Sequence, residues 1–137
     1  MNPNKATAGI DPKVGLSSLW IFAVLNYLYA DVFTSFFNPA AHTATLAMPQ
    51  EAVLVFAILM ETAIAMVLLA RFLNYSANRW ANIIAGIFHT AFVAWSLTGE
   101  KPTLDYLFFA SVEMACTLFI VWYAWQWRQP KQNILQA

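Results

Sequence analysis

Charge is what this sequence has least of. Seven Lys and Arg against seven Asp and Glu make up 10% of 137 residues and cancel to a formal net charge of zero, while 61% of the chain is hydrophobic and 16% aromatic. Soluble domains carry roughly 25% charged residues, so water is not the main solvent here. No basic face exists for nucleic acid. A single cysteine, Cys116, excludes an internal disulfide. The four glycines, Gly9, Gly15, Gly86 and Gly99, form no phosphate-cradling loop, and no nucleophile-elbow pattern occurs. Histidine is scarce too. His42 falls in a connection and His89 in an apolar run, which argues against bis-histidine haem. The Glu-x-x-His pairs of a carboxylate-bridged di-iron bundle are missing, because Ile64 and Cys116 stand three residues after Glu61 and Glu113.

What the chain has instead is apolar length. Residues 16–37, 51–73, 79–97 and 104–127 each read as a membrane span, with polar tails at 1–15 and 128–137. The first run, of 22 residues, would reach about 33 Å as a helix, against a hydrocarbon core of about 30 Å. It is too long for a signal peptide's apolar region and carries Asp31, so it reads as retained. Asn38-Pro39 ends it and a thirteen-residue loop, 38–50, follows. Pro49 and Glu51 suit a helix start, residues 74–78 form a tight connection, and Gly99, Pro102 and Thr103 separate the last two spans. The expected fold is all-α, an integral membrane four-helix bundle running up-down-up-down.

Lys5, Lys13, Arg71, Arg79, Arg128 and Lys131 then fall on one side and only Lys101 on the other, which places both termini in the cytoplasm. Trp20, Trp80, Trp125 and Trp127 read as an aromatic belt on the cytoplasmic side.

Within these greasy runs a few polar groups recur at similar depth. Counted from the outer end, Asp31 lies about 9 Å deep, His89 about 12, Glu113 about 13, Glu61 about 15 and Asn26 about 16. In the third span Asn78, Asn82, His89 and Ser96 share one stripe; Ala57, Glu61 and Ala65 form another in the second, and Tyr106, Ala110, Glu113 and Thr117 one in the fourth. Three bare carboxylates would oppose insertion by roughly 8 to 10 kcal/mol, and His89 is the only cation available at that depth. Either some of the acids are protonated, or water enters, or the centre holds a proton, a cationic ligand or a metal. The expected ligand or proton site is therefore Asn26, Asp31, Glu61, His89 and Glu113, supported by Tyr27, Tyr29, Asn82, Tyr106 and Thr117. A metal held by Glu61, His89 and Glu113 is the less favoured version, and the residues specify no cofactor.

The stretches SLWIFAVLNYLYADV, ILMETAIAMVLLAR, ANRWANIIAGIFHT and EMACTLFIVWYAWQW resemble successive helices of a small bacterial family of four-span membrane proteins of unknown function, loosely grouped with DoxX-like proteins. The resemblance implies a multi-pass protein of the bacterial inner membrane and assigns no activity. Three functional readings stay open. The centre binds a small lipophilic molecule and exchanges protons with it; the acids serve packing in a homo-oligomer or an accessory complex; or a dimer performs proton-coupled transport.

Overall fold

A computed structural model of the chain describes residues 9–99 and 101–129. The tails expected beyond them, with Lys5, Pro130 and Lys131, lie outside the described residues. Among the described residues there are five α-helices and no strand: α1 (Pro12–Phe37), α2 (Pro39–Leu46), α3 (Gln50–Phe72), α4 (Tyr75–Ser96) and α5 (Leu104–Gln126).

Local capping explains where these helices depart from the expected spans. Asp11 accepts a hydrogen bond from the Lys13 amide at 3.0 Å and Pro12 occupies the first turn, so α1 starts ahead of residue 16. Asn38 ends α1 and at once caps α2, accepting from the Ala41 amide at 3.2 Å with Pro39 in the first turn. The expected loop 38–50 therefore holds a short helix. Asn74 accepts from the Ala77 amide at 3.0 Å, which starts α4 at Tyr75 and reduces the connection from α3 to Leu73 and Asn74.

α1, α3 and α5 are each long and apolar enough to cross a membrane. α4 has the length, 22 residues, but Asn78, Arg79, Asn82, His89, Thr90 and Ser96 dilute its apolar character below that of the other three. The long helices touch in a ring, α1 against α3 and α5, and α4 against the same two. Register gives their directions. Leu19 meets Cys116 and Asn26 meets Phe109, advancing along α1 while retreating along α5, so those two are antiparallel. Trp20 meets Asn82 and Tyr27 meets His89, both 62 residues apart, so the diagonal pair α1 and α4 run parallel.

The inward faces follow helical spacing: Leu16, Trp20, Ala23 and Tyr27 on α1; Leu59, Ala63, Met66 and Ala70 on α3; Asn78, Asn82, Gly86, His89 and Val93 on α4; Ala110, Glu113, Thr117, Ile120 and Ala124 on α5. α4 and α5 approach closest. A Cβ on Gly86 would fall 2.6 Å from Val121 Cγ2 and 3.2 Å from the Thr117 carbonyl oxygen, and just beside that point the Thr90 and Thr117 hydroxyls meet at 2.7 Å. Small residues at such crossings are how helices pack inside lipid.

Candidate functional site

Two side-chain chains cross the interior. In the first, Trp20 Nε1 donates to Asn82 Oδ1 at 2.7 Å, and the Asn82 amide donates to the Asn78 backbone carbonyl at 2.7 Å and to Asn78 Oδ1 at 2.6 Å. Asn78 Nδ2 in turn donates to the Ala70 carbonyl at 2.7 Å, tying α1, α4 and α3 together. The indole nitrogen can only donate, which fixes the orientation of the Asn82 amide. Trp20 is thus 0% exposed and not part of an interfacial belt. An indole next to a buried asparagine finds a partner there that lipid cannot offer.

In the second chain, His89, 1% exposed, is held from both sides. The Tyr27 hydroxyl lies 3.2 Å from Nδ1 and Thr62 Oγ1 3.0 Å from Nε2. Thr62 Oγ1 also donates to the Leu59 carbonyl at 2.6 Å. A hydroxyl has one hydrogen, so Thr62 accepts from Nε2–H, leaving Nδ1 to accept from Tyr27. The neutral imidazole is then fully satisfied, with the Tyr27 ring stacked at 5.7 Å and the Trp20 ring edge-on at 5.4 Å. Thr62 escaped the sequence reading because it sits beside Glu61 in a run where nearly every residue is apolar. The signal was available in the 59, 63, 66, 70 spacing, whose flank it occupies.

The acids do not converge. Glu61, midway along α3, is exposed on the outer face, as is Ala57, while Ala65 is half-buried, so the expected stripe does not form an inward face. At 100° per residue, Glu61 lies roughly 200° from both Leu59 and Ala63, opposite the inward stripe. Asp31 is also exposed, and Tyr29, at 66%, faces outward and lines nothing. Among the described residues no three His, Cys, Asp or Glu side chains come together closely enough to hold a metal ion, so Glu61, His89 and Glu113 do not form the candidate metal set. The neighbours of the His89 ring are instead Trp20, Tyr27 and Thr62.

Glu113 is the acid that stays inside. It is 7% exposed in the middle of α5, and the side-chain amide of Asn26 stands as a donor toward its carboxyl. Asn26 on α1 faces it, half-buried and donating from Nδ2 to the Phe109 carbonyl at 3.3 Å, and Asp31 is near enough for its charge to act on it. Asn26, Asp31 and Glu113 thus lie near one another where α1 meets α5. Thr117 and Asn82 are buried in helix contacts of their own, and the Tyr106 hydroxyl donates to Ser96 Oγ at 2.7 Å, joining α5 to α4. Cys116, beside Glu113, is buried and its thiol points at the Leu19 carbonyl at 3.4 Å.

Two clefts, of about 510 and 520 Å³, lie at the end of the helices that gathers Arg71, Arg79 and Arg128. One is lined by Arg79, Trp125, Gln126 and Arg128, the other by Ser17, Ile21, Val67, Leu68, Arg71 and Phe72. None of the five expected site residues lines either.

No curated protein and no solved structure matches the chain. The grouping with DoxX-like proteins has no support from the family match, which carries no such link. The sequence model of a family of unknown function, DUF6326, matches residues 10–134, and the chain, a protein with three candidate membrane-spanning helices, belongs to that family.

Proposed function

We propose that the chain is a four-span inner-membrane protein, up-down-up-down with both termini cytoplasmic, whose α1–α5 groove binds a small lipophilic ligand and exchanges a proton with it at Glu113. One observation carries the reading: a carboxyl nine-tenths buried at mid-span, with the neutral Asn26 amide as its polar neighbour and no cation paired with it among the described residues. An ionised carboxylate in that position is costly, so it holds a proton or meets a positively polarised group from outside the chain. Asn26 supplies a neutral amide for orientation, and Asp31 stands at the mouth. α4 serves as the fourth span because Asn78, Asn82 and His89 are turned inward and bonded there, so what the rest of the helix shows to lipid is mostly apolar, as with Ile84, Ile87, Phe88 and Trp95.

The test compares wild type with Glu113→Gln, which keeps the shape and removes the titration. Wild type retains a lipophilic compound through purification in mild detergent and shows a carboxyl infrared band that changes with pH; the variant loses both while unfolding at the same temperature. Should wild type carry only bulk lipid and its carboxyl bands stay constant across pH, the reading is wrong.

A second reading, a homo-oligomer, rests on Glu61. A carboxyl on the outer face at the middle of a 23-residue apolar helix has no partner among the described residues of one copy. A second copy related by a two-fold axis would bring its own Glu61 to the same depth, where two carboxyls can share a proton. The same pairing would serve dimeric transport.

A further inference from the structure

The arginine cleft at the end of α4 and α5 presents positive charge that no acidic side chain among the described residues answers. Arg79 and Arg128 line it together with Trp125 and Gln126, and among the described residues no Asp or Glu does. The Arg79 guanidinium lies over the Trp125 ring at 5.3 Å and donates from Nη2 to the Trp125 carbonyl at 3.1 Å. The Tyr75 hydroxyl donates to the Trp127 carbonyl at 2.7 Å. Two carbonyls at the negative end of α5 are thereby already occupied by donors from α4. One donor is unsatisfied: Arg79 Nε is shut away from solvent with no acceptor among the described residues. A guanidinium offers five N–H groups in a planar fork that matches the oxygens of a phosphate.

We propose that this cleft binds a phosphate-bearing anion, clamped by Arg79 and Arg128 with the Gln126 amide as a neutral donor. The cleft volume, about 510 Å³, suits a group of headgroup size rather than a single halide. The phosphate can come from an anionic phospholipid at the membrane surface or from free phosphate. A zwitterionic headgroup fits less well, because its ammonium meets no carboxylate and the Trp125 face is already taken by Arg79. This site is independent of the α1–α5 groove and lies at the other end of α5 from Asp31.

The experiment uses the full chain in mild detergent. One arm compares retention of phosphatidylglycerol and phosphatidylcholine by native mass spectrometry; the other compares thermal stability in inorganic phosphate and in chloride at equal ionic strength. Arg128→Glu leaves the Arg79 bond to the Trp125 carbonyl in place and tests the site without loosening α4 from α5; Arg79→Gln removes the fork. Preferential retention of phosphatidylglycerol by wild type, falling about tenfold in Arg128→Glu, assigns the site to a lipid headgroup. Stabilisation by inorganic phosphate that Arg128→Glu abolishes, without discrimination between the two lipids, assigns it to free phosphate. Equal behaviour of wild type and Arg128→Glu in both arms overturns the proposal, whether or not Arg79→Gln folds.

Discussion

The Tyr27 hydroxyl and His89 Nδ1 meet at 3.2 Å across the centre of the helices, joining two diagonal helices that share no extended contact. Because Thr62 gives its one hydrogen to the Leu59 carbonyl, the proton of the neutral ring resides on Nε2. Nitrogen NMR of the protein in lipid should show a single tautomer, protonated at Nε2. Tyr27→Phe leaves Nδ1 buried and unpaired, and should lower stability by about 1–2 kcal/mol, given that hydrogen bonds between membrane helices average about 0.6 and an orphaned buried group adds its own cost. An Nδ1–H tautomer in the wild type would contradict this arrangement.

Trp20, Asn82 and Asn78 form the other chain, in which each link fixes the next. Asn82→Leu strands the Trp20 N–H and the Asn78 carboxamide oxygen in an apolar interior, and should cost about 2–4 kcal/mol, more than Trp20→Phe, which removes donor and bulk but strands only one acceptor. Thermal unfolding in one detergent ranks the two variants. Equal losses would mean that packing volume alone matters there.

The inward face of α4 was legible from sequence because polar residues at helical spacing in a membrane helix mark what lipid will not accept. Asn78, Asn82 and His89 are all buried. α3 offered no such phase. Every residue from Val53 to Ala70 other than Glu61 and Thr62 is apolar, and the rule that a charge turns inward selected the wrong side. The inward stripe is instead set by size: Ala63 and Ala70 let α1 and α4 approach, and Glu61, the bulkier and more solvated group, lies opposite. Trp20 was misplaced for a related reason. Its distance from the span end resembles that of an interfacial tryptophan, and only the three-dimensional register shows that Asn82 waits for its N–H. The closeness of Asn26 to Glu113 belongs to the same class, a product of α1–α5 register that no single-helix periodicity contains.

Gly86 sits where α4 crosses α5. A methyl there meets a β-branched side chain at 2.6 Å and a backbone oxygen at 3.2 Å, and the backbone cannot move aside without opening the Thr90–Thr117 contact one turn away. Gly86→Ala should cost about 1–3 kcal/mol and Gly86→Leu should prevent folding. Adding Val121→Ala to Gly86→Ala should recover much of the loss, since it removes the nearer obstacle. Failure of that rescue would show that the Thr117 carbonyl is the limiting contact.

Cys116 is the one native thiol, and it is buried against the Leu19 carbonyl. A membrane-impermeant maleimide should therefore leave the folded protein unlabelled and react only after denaturation. With Cys116→Ser as background, single cysteines at Asn74 and Lys101, both exposed in the connections, report sidedness. In intact cells Lys101→Cys should label from outside and Asn74→Cys only after the membrane is opened. Labelling in the reverse order would invert the proposed orientation.

Glu61 allows the sharpest division between the two functional readings. Alone in lipid, a mid-span carboxyl opposes insertion, by about 2.5–3.5 kcal/mol on the mildest scale for an acidic residue, so Glu61→Leu in a monomer should be neutral or stabilising. If two copies meet at Glu61 through a shared proton, the same change removes the polar contact that holds them and the species in mild detergent should shift from dimer to monomer. Glu61→Gln, which keeps a side chain able to hydrogen-bond across a two-fold axis, should preserve the dimer and remove its pH dependence. Mass photometry of the three proteins at matched detergent concentration reads the outcome directly. A wild type that is monomeric, with both variants at least as stable, leaves Glu61 no role at an interface and the α1–α5 groove as the remaining site.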